Sequence, residues 1–120
     1  MDELKLCESD FRFMDIVWEN EPVSSGRLVE LCLDKLGWKK STTYTVLKKL
    51  CEKGIFRNDN GLVTSVVSKN DYFAHQSKNF VDETFEGSLP AFIAAFTKKQ
   101  TLSDKEIAEI RAMIDVIEEG

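Results

Sequence analysis

Between Lys35 and Arg57 the chain carries Lys35, Lys39, Lys40, Lys48, Lys49, Lys53 and Arg57 against the single acid Glu52, a net charge of +6 in one short window. The same window holds Ser41, Thr42, Tyr44 and Thr45. Lysines neutralise phosphates, while short hydroxyls donate to and accept from base edges. The chemistry on offer is recognition of nucleic acid, and no bond-making step is evident. His75 is the one histidine, and it falls in an otherwise aromatic segment. There is no glycine-rich phosphate loop and no His or Cys pair at metal-ligand spacing. Neither a catalytic residue, a metal site nor a cofactor is therefore expected, and the chain does not read as an enzyme. The cysteines Cys7, Cys32 and Cys51 are odd in number and widely spaced, which suits a reducing cytosol better than a disulfide framework. Of these, Cys7, near the terminus, is the expected reactive thiol.

Helices must present that window. Thr43, Val46, Leu47, Leu50 and Cys51 recur at helical spacing, which turns Thr42, Tyr44, Thr45, Lys48 and Glu52 to the opposite face with Lys49 at its flank. Ser41 is the expected cap of this third helix, and Gly54 ends it. Two helices precede it. The first runs from Asp10 to Glu19, with Phe11, Met14, Val17 and Trp18 in register, Ser9 or Asp10 as cap, and Pro22 as its stop. The second runs from Ser24 or Ser25 to Leu36, with Leu28, Leu31 and Cys32 inward and Gly37 as terminator. Two β-prone runs follow, Ile55 to Arg57 and Leu62 to Val67, around the turn signal Asn58-Asp-Asn-Gly61. Three helices and a hairpin are the order of a winged helix-turn-helix, whose third helix enters the major groove.

From Lys69 onward the character becomes acidic and aromatic. Residues 1–68 hold ten basic and eleven acidic side chains, whereas 69–120 hold six and ten. Three more helices are expected here. One is capped by Asn70 or Asp71 and carries Phe80 and Phe85. A second starts at Ser88 and carries Phe92, Ile93 and Phe96. The last opens at the capping box Ser103 to Glu106 and carries Ile107, Ile110, Ile114 and Ile117. Some fifty residues can hardly build a core alone. Docking against a second copy is the simplest way to cover these apolar faces, with packing back onto the first domain as the alternative. The expected fold is thus mainly α with a small β-hairpin wing, a winged-helix DNA-binding domain over 1–68 and a helical dimerisation region over 69–120.

The expected readers of base edges are Thr42, Tyr44 and Thr45. Lys39, Lys40, Ser41, Lys48 and Lys49 are expected at phosphates, with Arg57 and Asn60 as the wing contacts. Trp38 is expected to pack at the turn. No apolar run reaches membrane-spanning length, and the start Met-Asp-Glu-Leu-Lys lacks the basic and apolar regions of a signal peptide, so a cytoplasmic protein is expected. The overall charge of −5 argues the other way on DNA, because nucleic-acid binders usually carry a basic footprint. It would suit a winged helix used as a protein-interaction module without specific DNA binding.

The residues that carry this reading also resemble the penicillinase-repressor family of bacterial transcription regulators (the BlaI/MecI/CopY group). The likeness covers nearly the whole chain: Phe13 to Trp18, Pro22-Val23, the block from Trp38 to Gly54, Phe85 to Ser88, and Leu102 to Ile107. The resemblance implies a homodimeric winged-helix repressor on an inverted-repeat operator, controlling an antibiotic-resistance (β-lactamase-type) or metal-homeostasis operon. The chain also departs from the family. Where members controlling β-lactam resistance are cleaved at an Asn-Phe bond, the aligned pair is Ala95-Phe96. The C-terminal Cys-x-Cys pairs of copper-sensing members have no counterpart after Cys51, and the second wing strand is not Tyr-rich.

Overall fold

The computed structural model of the chain describes residues 8–119. Its elements run α1 (Glu8–Asn20), β1 (Val23–Ser24), α2 (Ser25–Leu36), α3 (Lys40–Glu52), β2 (Phe56–Asp59), β3 (Leu62–Ser65), α4 (Lys69–Phe85), α5 (Leu89–Lys99) and α6 (Asp104–Glu119). The mainly helical architecture with a small wing is the one the sequence predicts.

Several helix starts differ from expectation. α1 begins at Glu8, so Ser9 and Asp10 lie inside its first turn and do not cap it. α3 begins at Lys40, with Lys39 in the cap position and no side-chain cap bond, so Ser41 is already helical. The turn before α3 sets this early entry. Gly37 takes the left-handed conformation that closes α2, and Trp38 stacks on Phe13 at 5.7 Å with the rings 13° from parallel. α4 is capped by Ser68, whose hydroxyl accepts from the Asp71 N–H at 3.1 Å. Ser24, Ser88 and Ser103 cap α2, α5 and α6 as expected.

The sheet has three strands in the order β1-β3-β2, all antiparallel. β1 is not anticipated by the sequence, because two residues are too few to show an alternating pattern. Val23 faces Val63, and this pairing buries both. In the hairpin Asp59 pairs with Leu62, so Asn58 and Asp59 belong to the strand and the turn is only Asn60-Gly61. Both turn residues have positive φ, 51° and 89°, the geometry that suits a right-twisted two-residue hairpin.

The chain forms two compact units that divide at Asn79/Phe80, inside α4. Aromatic packing is the reason. Tyr72 is 3% exposed in the core of the first unit, with its ring 5.9 Å from Phe11 and 5.7 Å from Trp18. Trp18 Nε1 donates to the Val67 carbonyl at 3.1 Å, and Lys69 Nζ sits 2.9 Å from Asp15. The core of this unit centres on Phe13, Met14, Leu28, Leu47, Leu50 and Phe56. The second unit is built differently. Phe80, Phe85, Phe92 and Phe96 form a chain of edge-to-face and tilted ring contacts, yet no residue of α5 or α6 is fully buried.

Candidate nucleic-acid interface

α3 divides as its periodicity predicts. Thr43, Leu47 and Leu50 are buried, with Val46 and Cys51 half-buried beside them. Thr42, Tyr44, Thr45, Lys48 and Glu52 are exposed, and Lys39, Lys40 and Ser41 are exposed around the N-terminal turn. No side chain caps this end, and the partial positive charge of a helix N-terminus favours an anion. Thr45 Oγ1 donates to the Ser41 carbonyl at 2.9 Å, which leaves its lone pairs as acceptors. Tyr44 hydroxyl and Ser25 Oγ lie 3.3 Å apart, so Tyr44 is steadied from the start of α2.

The wing is tied back to the helices. The Ser25 N–H donates to the Gly61 carbonyl at 2.7 Å, and the Glu21 carboxylate accepts from both the N–H and the hydroxyl of Ser65, at 2.7 and 2.8 Å. Between α3 and β2 lies an open groove of about 330 Å³ lined by Tyr44, Leu47, Lys48, Cys51 and Asn58. Asn58 is absent from the expected contacts. The alternation that buries Phe56 also turns Asn58 toward α3, and that signal becomes readable once the strand is known to extend to Asp59. Arg57 and Asn60 are exposed, but Arg57 projects from the opposite face of β2 and does not join this groove.

Lys49 has a partner within the fold. Expected at a phosphate, it places its ammonium 2.8 Å from each carboxylate oxygen of Asp10, whose side chain is 5% exposed. The sequence treats Asp10 as a cap and gives no sign of this partner 39 positions away. The described cysteines are free. Burial pushes the Cys32 thiol up, partly offset by the neighbouring Thr43 side chain, and burial followed by the charge of Glu52 pushes Cys51 up as well. Cys7 lies outside the described residues. Among the described residues no group of three or more His, Cys, Asp or Glu side chains is arranged to hold a metal ion.

In the second unit, Phe92, Ile93, Phe96, Thr97, Leu102, Glu106 and Ile110 line a largely apolar hollow of about 250 Å³. Phe85 and Ile107 are half-buried beside the helix contacts. Phe80, Ile114 and Ile117 are exposed to 51%, 49% and 75%, and Met113 and Val116, not foreseen, are exposed to 63% and 68%.

A three-helix unit with a wing, whose third helix turns hydroxyls and lysines outward, defines a winged helix-turn-helix protein of the DNA-binding class. The chain belongs to the penicillinase repressor family, whose model matches residues 6–116. It is similar to the methicillin resistance regulatory protein MecI of Staphylococcus aureus (strain Mu50), 26% identical over 115 residues that cover 92% of this chain and 94% of that protein. It is also similar to the penicillinase repressor of Bacillus licheniformis, at 19% identity over 92% of this chain and 90% of that one, and to the penicillinase repressor of Staphylococcus aureus, at 22% over 96% and 94%. The chain is thus a member of a family of transcriptional repressors. No described helix is long and apolar enough to cross a membrane.

Proposed function

We propose that the chain acts as a cytoplasmic homodimer that occupies an inverted-repeat operator and blocks transcription of an antibiotic-resistance (β-lactamase-type) or metal-homeostasis operon. Each copy offers α3 to one major groove, and the two copies reach half-sites about 34–36 Å apart. Thr42, Tyr44 and Thr45 read base edges. Lys39, Lys40, Ser41 and Lys48 hold phosphates, with Arg57 and Asn60 reaching the backbone from the wing. The helical region of residues 69–120 joins the two copies through Phe80, Phe85, Phe92, Ile93, Phe96, Ile107, Ile110, Ile114 and Ile117.

The observation that carries this reading is the division of α3. One face fills the core, while the other leaves three hydroxyl side chains and Lys48 exposed beside an uncapped helix end. The support for a dimer is the apolar surface that α6 leaves uncovered, since a soluble monomer seldom exposes a contiguous patch of this kind. Titration of duplex DNA at several salt concentrations tests the reading. The log–log dependence of affinity on salt should have a slope of about −0.9 per phosphate neutralised. Lys48→Gln should flatten it by about 0.9 for each copy bound, about 1.8 for the dimer. A chain that binds no duplex tightly at low salt would instead be a protein-interaction module.

A further inference from the structure

Lys49 carries a charge that the exposed face of α3 does not use. Its ammonium bonds both oxygens of Asp10 at 2.8 Å, and the acid is sealed while the lysine stays 42% exposed. A carboxylate held that far from water depends on partners fixed in the fold. Lys49 cannot swing toward a phosphate without breaking both of these bonds. Helix dipoles favour the same arrangement, since Asp10 lies in the first turn of α1 and Lys49 in the last turn of α3. The pair therefore joins the start of α1 to the end of the recognition helix. The buried contacts of Leu47 and Leu50 are apolar and non-directional. A two-point bond between ammonium and carboxylate is directional.

We infer that Asp10 is a positioning residue for DNA recognition: it keeps Lys49 out of the phosphate contacts and fixes the roll of α3, so that Thr42 and Thr45 meet base edges in one orientation. This rests on the DNA-binding reading given above. Two adjacent lysines then have different tasks, Lys48 neutralising a phosphate and Lys49 holding the helix.

The test uses the full chain, a duplex that the parent protein enriches from a randomised pool, and an unrelated duplex, each titrated across a salt series. Lys49→Gln should leave the salt slope at the parent value yet narrow the ratio of enriched to unrelated affinity by about fivefold or more, the size of one lost base contact. Asp10→Asn should narrow the ratio likewise and steepen the slope by up to about 0.9 for each copy bound, because Lys49 is released. Lys49→Arg, which can still pair, should restore both. A purely structural loss would weaken all binding together without steepening the slope. A slope flattened by Lys49→Gln as much as by Lys48→Gln would overturn the inference, as would an Asp10→Asn chain with parent slope and ratio. Should the variants fail to fold, lysine acylation of the parent protein followed by mass spectrometry decides. The enriched duplex should protect Lys48 and leave Lys49 unchanged, and equal protection of both would overturn the inference. Failure of the parent to enrich any duplex would sink the DNA-binding reading itself, whereas parent binding with wrong variant behaviour sinks only the role of Asp10.

Discussion

Thr45 stands one helical turn before Lys48, and the two divide the work of a DNA-reading face into discrimination and attraction. Thr45→Ala should reduce the preference for the operator over random duplex by about 1–3 kcal/mol, measured as a ratio of dissociation constants. The buried pair behaves differently. Lys49→Met leaves a sealed carboxylate without its cation and should lower unfolding stability by roughly 1–3 kcal/mol, less than a fully buried pair because Lys49 is 42% exposed. At the thiols the sign follows from linkage. Cys32 and Cys51 keep their protons above the ordinary value of 9.0, whereas the unfolded chain releases them there. Stability should therefore fall as pH rises past 9.0, and denaturant melts with Cys32→Ala should show a shallower fall. At this scale the exposed residues of α3 were readable from period alone. The partner of Lys49 was not, because the contact joins residues 39 apart and nothing local marks it.

Elements were readable wherever a repeat or a stop signal is long enough to register. The stripe of α3, the glycine end of α2 and the capping box of α6 each have a local chemical cause, and each element lies where that cause places it. β1 escaped because its two residues become a strand only through pairing with β3. The packing of Tyr72 and Phe73 on Phe11 in the first unit was not readable either, because the shift in composition at Lys69 gives no sign of it. The wing offers a direct check. Gly61 has φ of +89°, and an added Cβ would meet Ser25 Oγ at an ordinary 3.6 Å, so the cost of Gly61→Ala is conformational and not steric. It should be about 1–2 kcal/mol, visible as a fall in melting temperature of several degrees.

For the whole molecule, a net charge of −5 coexists with a +6 window because the acidic side chains lie mostly outside the recognition segment. Attraction to DNA at long range should be weak, so affinity should depend on two engaged copies and on modest salt more than in a uniformly basic repressor. Ile117 is 75% exposed at the end of α6. If it is covered by a second copy, Ile117→Asp should shift the solution mass from dimer to monomer at micromolar concentration with little change in helix content. A parent protein that is monomeric under those conditions would contradict the two-half-site arrangement. Whether paired α3 helices read an inverted repeat can be measured by selecting duplexes from a randomised pool with the purified parent protein. The recovered sequences should converge on a two-fold-symmetric motif with half-sites separated by about one helical turn or a multiple of it. Recovery of sequences that share no motif, or of single half-sites alone, would contradict it.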